Sequence, residues 1–258
     1  MYKGVVSFEA EIGRGVGIRF PKVAFRSPAA GVEKVEIEAV LDEAGNNSVS
    51  TAVHLEGVPT QQTGLAIARV VTTSTLNRLA FNQSISIGTP RCTKQEFEAI
   101  PQRGLDQVSG WVLVAGATEV STALGEMKPV LGLAPDLVRA HLEETTPAGE
   151  GNYGLFRSAR QSESRAEEFL HLYLIILMLC GDAQDGVDAW IKSRDPNVAE
   201  TPSPDPRKKG RMETVYTRLR NEFGHKRAGV DLDNTKKEMS EQLERLRELA
   251  RVAIRTLT

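Results

Sequence analysis

Leu219-Arg220-Asn221-Glu222-Phe223-Gly224-His225, followed at once by Lys226 and Arg227, is the stretch on which the reading of the chain turns. Val215, Leu219 and Phe223 recur every four residues, which is the spacing of one helical face, so this stripe is expected in a core. Gly224 is a natural stop for such a helix. Arg is a permanent cation whose planar fork matches phosphate oxygens, and His takes and gives protons near neutral pH. Asn both donates and accepts hydrogen bonds. Arg220, Asn221 and His225 are therefore the candidate catalytic residues for work on a phosphodiester. On an ideal helix Arg220 and His225 stand about 140° apart around the axis, so a turn at Gly224 is expected to swing His225 back.

Outward from this stretch the C-terminal part reads as helices throughout. Ser164 with Glu167 forms a capping box ahead of the apolar run 169–180, and Gly181 follows as a stop. A helix apolar all round is expected to be buried on nearly every side, or shared with a partner chain, with His171 as a satisfied core or interface histidine. A shorter helix is expected around 187–191. Four prolines in 195–206 make that stretch a loop. The motif helix is expected over about 209–223, with Tyr216 able to stack on a base or to pack half-buried. A turn at 229–234 and a second capping box, Thr235 with Glu238, start the last helix. Met239, Leu243, Leu246, Ala250, Ala253 and Leu257 then form an apolar seam at alternating spacings of four and three.

Upstream, Thr145-Thr146-Pro147-Ala148-Gly149-Glu150-Gly151-Asn152 is the clearest break in composition, which gives domains at 1–148 and 149–258. Residues 5–12 and 35–40 alternate apolar and polar side chains, the pattern of strands with one wet face. Gly13-Arg14-Gly15-Val16-Gly17 lacks the Lys-Ser/Thr of a phosphate loop and reads as a turn between strands. A helix is expected over 60–81, a strand over 82–87, a buried strand and turn at 111–118, and a helix over 135–144 with Pro135 in its first turn. The fold class is α+β: a mostly β first domain and an all-α four-helix second domain.

The 258 residues carry a formal charge of −2 and a pI near 6.2, which argues against a protein that coats nucleic acid indiscriminately. Around the motif, however, residues 205–227 hold eight Lys/Arg against three acids, a local excess of +5. Lys208, Lys209, Arg211, Lys226 and Arg227 are the candidate RNA-binding cations beside Tyr216. Cys92 and Cys180 are too few for a disulfide framework. His54, His141, His171 and His225 are scattered without ligand spacing, so no metal and no other cofactor is expected. The N-terminus lacks the basic and then apolar segments of a leader, and no stretch is apolar enough to span a bilayer, which points to a cytoplasmic protein without membrane contact.

The Arg-Asn-x-x-x-His spacing on the third of four C-terminal helices resembles the signature of the HEPN superfamily, whose active members are metal-independent ribonucleases. The resemblance covers roughly residues 150–258 and is nearest to the branch that carries this domain behind an unrelated β-rich domain, as in ApeA-like anti-phage proteins. It implies RNA as substrate, a homodimer that brings two motifs together, and a role in defence or toxin-like cleavage. One departure stands out. Many relatives carry an acid in the first long helix, within a Tyr-x-x-Leu-Glu-like segment, whereas Tyr173 here is followed by Leu174, Ile175, Ile176 and Leu177.

A metal-free ribonuclease needs a base for the ribose 2′-hydroxyl, charge stabilisation at phosphorus and an acid for the leaving oxygen. His225 is assigned proton transfer, Arg220 the developing charge, and Asn221 the placement of the phosphate or the histidine. One histidine does not serve as acid and base in a single step, which is a second reason to expect two chains. The first domain then senses a trigger ligand or protein, or restrains the second. The alternative is a non-catalytic dimeric HEPN-like module in an accessory or regulatory role.

Overall fold

The computed structural model describes residues 1–13, 15–101, 129–144, 149–204, 210–225 and 230–258. The chain forms two compact units, Met1–Thr146 and Pro147–Thr258.

The first unit is built on β1 (Tyr2–Glu11), β2 (Gly17–Phe25), β3 (Val32–Leu41), β4 (Asn47–Val58), α1 (Gln61–Gln83), β5 (Arg91–Ala99), β6 (Val130–Gly132) and α2 (Pro135–Glu143). The strands form one sheet in the order β5-β1-β4-β3-β2-β6, antiparallel except for the β2/β6 edge. Alternation drives the layering. Val6, Phe8 and Ala10 of β1, Val35, Ile37 and Ala39 of β3, and Val49, Val53 and Leu55 of β4 point into one core, which α1 and α2 cover.

The threonines of α1 fit this core because their hydroxyls are satisfied locally: Thr75 donates to the Val71 carbonyl at 2.8 Å, and Thr72 accepts from Thr51 at 3.4 Å. Asn47 ties the far side of the sheet together. Its Oδ1 accepts from the Ile18 N–H at 2.9 Å, and its Nδ2 donates to the carbonyls of Ile18 (2.8 Å) and Val40 (2.9 Å). Residues 82–87 are not the expected strand. α1 runs on to Gln83, Ser84 closes it in the left-handed region (φ 53), and Ile87 then makes a single bridge to Ile12. The strand and turn expected at 111–118 lie outside the described residues.

The second unit contains α3 (Glu150–Arg160), α4 (Arg165–Leu179), α5 (Gln184–Arg194), β7 (Glu200–Pro202), β8 (Met212–Thr214), α6 (Val215–His225) and α7 (Leu232–Thr256). It is therefore not an all-α four-helix domain: five helices are accompanied by the antiparallel ribbon β7/β8, among the described residues. Residues 200–202, expected in a loop, pair with 212–214, expected in the motif helix; Pro202 is tolerated because a two-stranded ribbon is all edge.

The Ser164/Glu167 capping box is present, and Gly181 follows α4 with φ 77. The second expected box is not. Asp231 caps α7 by accepting from the N–H groups of Asp233 and Asn234, so Thr235 already lies in the first turn, buried. The α7 seam packs as its spacing predicts from Met239 to Ala253, while Leu257 is exposed.

α4 packs chiefly on α7, and its Phe169, Leu172, Tyr173 and Ile176 are fully buried. It is not buried on every side, however, since Leu174 (46% exposed) and Met178 (44%) face outward. His171 is likewise exposed and hydrogen-bonds Ser162 at 2.9 Å, outside the core.

A buried carboxylate joins three helices of this unit. Glu168 on α4 takes Arg160 from α3 and is gripped bidentately by Arg247 from α7, at 2.8 and 2.9 Å. Burial opposes the Arg160 charge and lowers its pKa, with Glu168 acting to keep it protonated. Glu168→Ala strands two guanidinium groups in a desolvated site. It is expected to cost about 3–5 kcal/mol in urea unfolding. A loss indistinguishable from that of an exposed substitution is the contrary result.

Candidate functional site

The motif helix α6 is positioned by a polar ladder against α5. Gln184 donates from Nε2 to Asn221 Oδ1 at 2.9 Å. One turn along α5, Asp188 Oδ1 accepts from the Thr217 hydroxyl (2.6 Å), the Thr214 hydroxyl (2.7 Å) and the Thr214 N–H (3.1 Å). Residues four apart on each helix meet in antiparallel order, 184 with 221 and 188 with 217, so each pair forms a rung. Arg211, ahead of β8, donates to Asp188 Oδ2 at 3.2 Å and pairs with Asp185 as well.

Proton accounting fixes the direction of the chain of bonds. Thr217 has one hydroxyl proton, and Asp188 takes it. Tyr173 Oη, 2.9 Å from Thr217 Oγ1, is therefore the donor in that pair. Burial pushes the Tyr173 phenol up to about 12, with the Asp188 charge adding to the effect and the Thr217 bond opposing it. Tyr173 is thus a neutral hydrogen-bond donor at physiological pH and not a base.

The sequence-selected residues fall into distinct places. Asn221 is buried (3% exposed), and its Oδ1 accepts from Arg220 Nη1 at 2.9 Å as well as from Gln184. Asn221, which sequence reasoning assigned to the phosphate or the histidine, thereby has its carbonyl oxygen bonded to Arg220 and Gln184. Arg220 itself is half-buried on α6.

His225 is the last residue of α6, and its side chain lies outside the described residues. α6 runs through Gly224 to His225, so the helix does not stop at Gly224 as expected. Val215 and Leu219 of the expected stripe are buried, Phe223 is only half-buried, and Tyr216, Thr217 and Asn221 face the interior as well.

Tyr216 (1% exposed) stacks on Phe169 with ring centroids 6.2 Å apart, so it is a core residue and closed to a base. Arg211 is neutralised by Asp185 and Asp188. Arg218 is held by Glu222 (3.0 Å) and by Glu238; burial opposes its charge, and the two carboxylates more than offset that, raising its pKa. Lys208, Lys209, Lys226 and Arg227 lie outside the described residues. Among the described residues no group of three or more His, Cys, Asp or Glu is arranged to hold a metal ion, and no helix is long and apolar enough to cross a membrane.

Gln184, Asp188, Thr214 and Thr217 were missed by sequence reasoning. The available signal was the pair of i,i+4 polar couples, 184/188 and 217/221, each beside apolar residues. Asp188 also brings a buried acid from α5 close to Tyr173, the two joined through the Thr217 hydroxyl.

Compared with known proteins, the chain matches no family model, no curated protein and no solved structure.

The tyrosines give a spectroscopic prediction. Tyr173 and Tyr216, both pushed up to about 12 by burial, have folded-state pKa values above the unfolded value near 10. Their contribution to stability is complete below about pH 10 and declines as pH rises from about 10 to about 12. Two of the four tyrosines are expected to ionise only near pH 12 in an ultraviolet titration. Tyr173→Phe and Tyr216→Phe should each remove one of these late steps, and late steps that persist in both variants would contradict the assignment.

Proposed function

We propose that the chain is a metal-independent endoribonuclease of the HEPN type. On this reading α4, α5, α6 and α7 are the four bundle helices, with α3 and the β7/β8 ribbon as additions, and RNA cleavage serves defence or toxin-like action. The observation that carries it is the fixing of Arg220 by a buried amide pair: Gln184 holds Asn221, and Asn221 holds Arg220, on the helix that His225 ends. A guanidinium anchored on protein in this way is pre-oriented, which is what stabilising a phosphorus centre that gains negative charge requires.

His225 supplies proton transfer to or from the ribose 2′-hydroxyl or the leaving 5′-oxygen, which restricts the reaction to RNA. Because one histidine serves only one side of the step, the complete site takes motifs from two copies. The outer stripe of α4, with Leu170 and Leu177 half-buried and Leu174 and Met178 exposed, supports an apolar face for that dimer. The sheet-based first unit is the sensing or restraining module.

A second reading, a non-catalytic dimeric module, is favoured by the same ladder seen differently. The Gln184, Asn221 and Arg220 bonds suffice to hold α5 on α6 without any chemistry.

Cleavage of mixed RNA in EDTA separates the two. The enzyme reading expects cleavage that falls by about 10² to 10⁴ in His225→Ala, the usual contribution of a positioned proton-transfer group, and comparably in Arg220→Ala. A folded dimer that cuts nothing, or cuts equally well in both variants, overturns it in favour of the binding module.

A further inference from the structure

The sheet of the first unit ends on β5, whose outward side pairs with no strand among the described residues. On its other side β5 pairs antiparallel with β1. Backbone N–H and C=O groups left open along an edge strand are a template for a further strand, and chains blunt such edges with charges and bulges. β5 carries both devices. Its register against β1 shifts between Cys92 and Lys94, and beyond that bulge lie Lys94, Glu96 and Glu98.

Burial assigns the faces. Phe97 is buried in the core of this unit, so Gln95 shares its side of the sheet, and Lys94, Glu96 and Glu98 occupy the other. Glu98 lies opposite Lys3 of β1 and pairs with it at 3.0 Å. Lys94 and Glu96 lie opposite Ser7 and Val5, which carry no charge, and pair with each other along the strand at 2.8 Å. Their side chains remain 56% and 39% exposed, open to a strand added at the edge.

An edge that only repels other strands is best served by charges of one sign, because every register then sets like against like. A Lys followed two residues later by a Glu does the opposite in one register. When two copies of β5 lie antiparallel about a twofold axis at Gln95, Lys94 of each copy stands directly opposite Glu96 of the other, so the edge is its own complement. Neighbouring axes fail. One at Lys94 or at Glu96 sets that charge against its own copy, and one at Phe97 sets Glu96 against Glu98. An axis between two residues places side chains of opposite faces against each other.

We propose that β5 is a self-pairing edge, which joins two copies of the first unit into one continuous sheet, with Gln95 on the twofold axis and two reciprocal Lys94–Glu96 ion pairs across it. The contact uses residues of the first unit alone and is separate from the apolar face of α4. Because the bulge beside Lys94 interrupts the ladder after a few residues, the association is weak and depends on concentration.

Disulfide trapping in the full chain reads the register directly. With Cys92 and Cys180 replaced by Ser, Gln95→Cys puts two thiols on the axis, with Cβ atoms about 4.5–5.5 Å apart, and is expected to give a covalent dimer under mild oxidation. Glu98→Cys in the same background puts them about 20 Å apart and is expected to give none. Adding Lys94→Glu to Gln95→Cys should slow trapping about tenfold or more, since like charges then stand opposite each other. Adding Glu96→Lys as well exchanges the two charges, restores the reciprocal pairs and should restore the rate. All these side chains are exposed or half-buried, so the variants should keep wild-type circular dichroism. The proposal is overturned if the folded Gln95→Cys chain gives no dimer at its highest soluble concentration, or if Glu98→Cys traps as readily. It is equally overturned if trapping is indifferent to Lys94→Glu or is not restored by the exchange.

Discussion

A desolvated carboxylate has to be satisfied in place, and Asp188 is the point at which the second unit meets that demand. Two threonine hydroxyls, one backbone N–H and an arginine converge on it from β8, α6 and the residue ahead of β8. Those partners fix where α6 begins, because Thr214 ends β8 and Thr217 lies in the first turn of the helix. They also fix α5 against α6, and through Thr217 they orient the Tyr173 phenol on α4. An apolar residue of similar size at 188 would remove the charge but leave the Thr214 and Thr217 hydroxyls without this acceptor and Arg211 with Asp185 alone.

This hub also places the motif. Once α5 and α6 are held by the Asp188 rung, the Gln184 rung falls opposite Asn221, and Asn221 is carried into the interior with Arg220 bonded to it. Arg220 is thus held through two amides rather than through a single pair, and both are anchored on helices that pack within one unit. Glu168 performs the same service for α3, α4 and α7 at another point of that unit, again with one carboxylate and several donors. The unit relies on a few satisfied charges between helices as well as on its apolar seam.

Where side-chain period alone decides burial, the structure was legible in the sequence. The alternation in β1 and β3, the Ser164/Glu167 box and the α7 seam from Met239 to Ala253 all belong to this class. Legibility failed where a polar residue is buried because a distant partner satisfies it. Thr217 and Asn221 look like surface positions until Asp188 and Gln184 are placed opposite, and the interior face of α6 was accordingly drawn through Phe223 rather than through Tyr216 and Asn221. The β7/β8 ribbon failed for a related reason: three residues a side and a proline carry almost no local signal, and its position depends on Thr214 bonding Asp188 and Ser203 bonding Glu213. At the motif, the helix was expected to stop at Gly224, and it runs on to His225.

The most direct measurement of the central claim is a double-mutant cycle on RNA cleavage in EDTA, combining Gln184→Leu with Arg220→Ala. If Gln184 acts only by holding Asn221 and so Arg220, then Gln184→Leu slows the wild-type reaction and has no further effect once Arg220 is gone, a coupling equal to its whole single-mutant loss. Independent, multiplicative losses would contradict the account. So would an unchanged rate in Gln184→Leu alone.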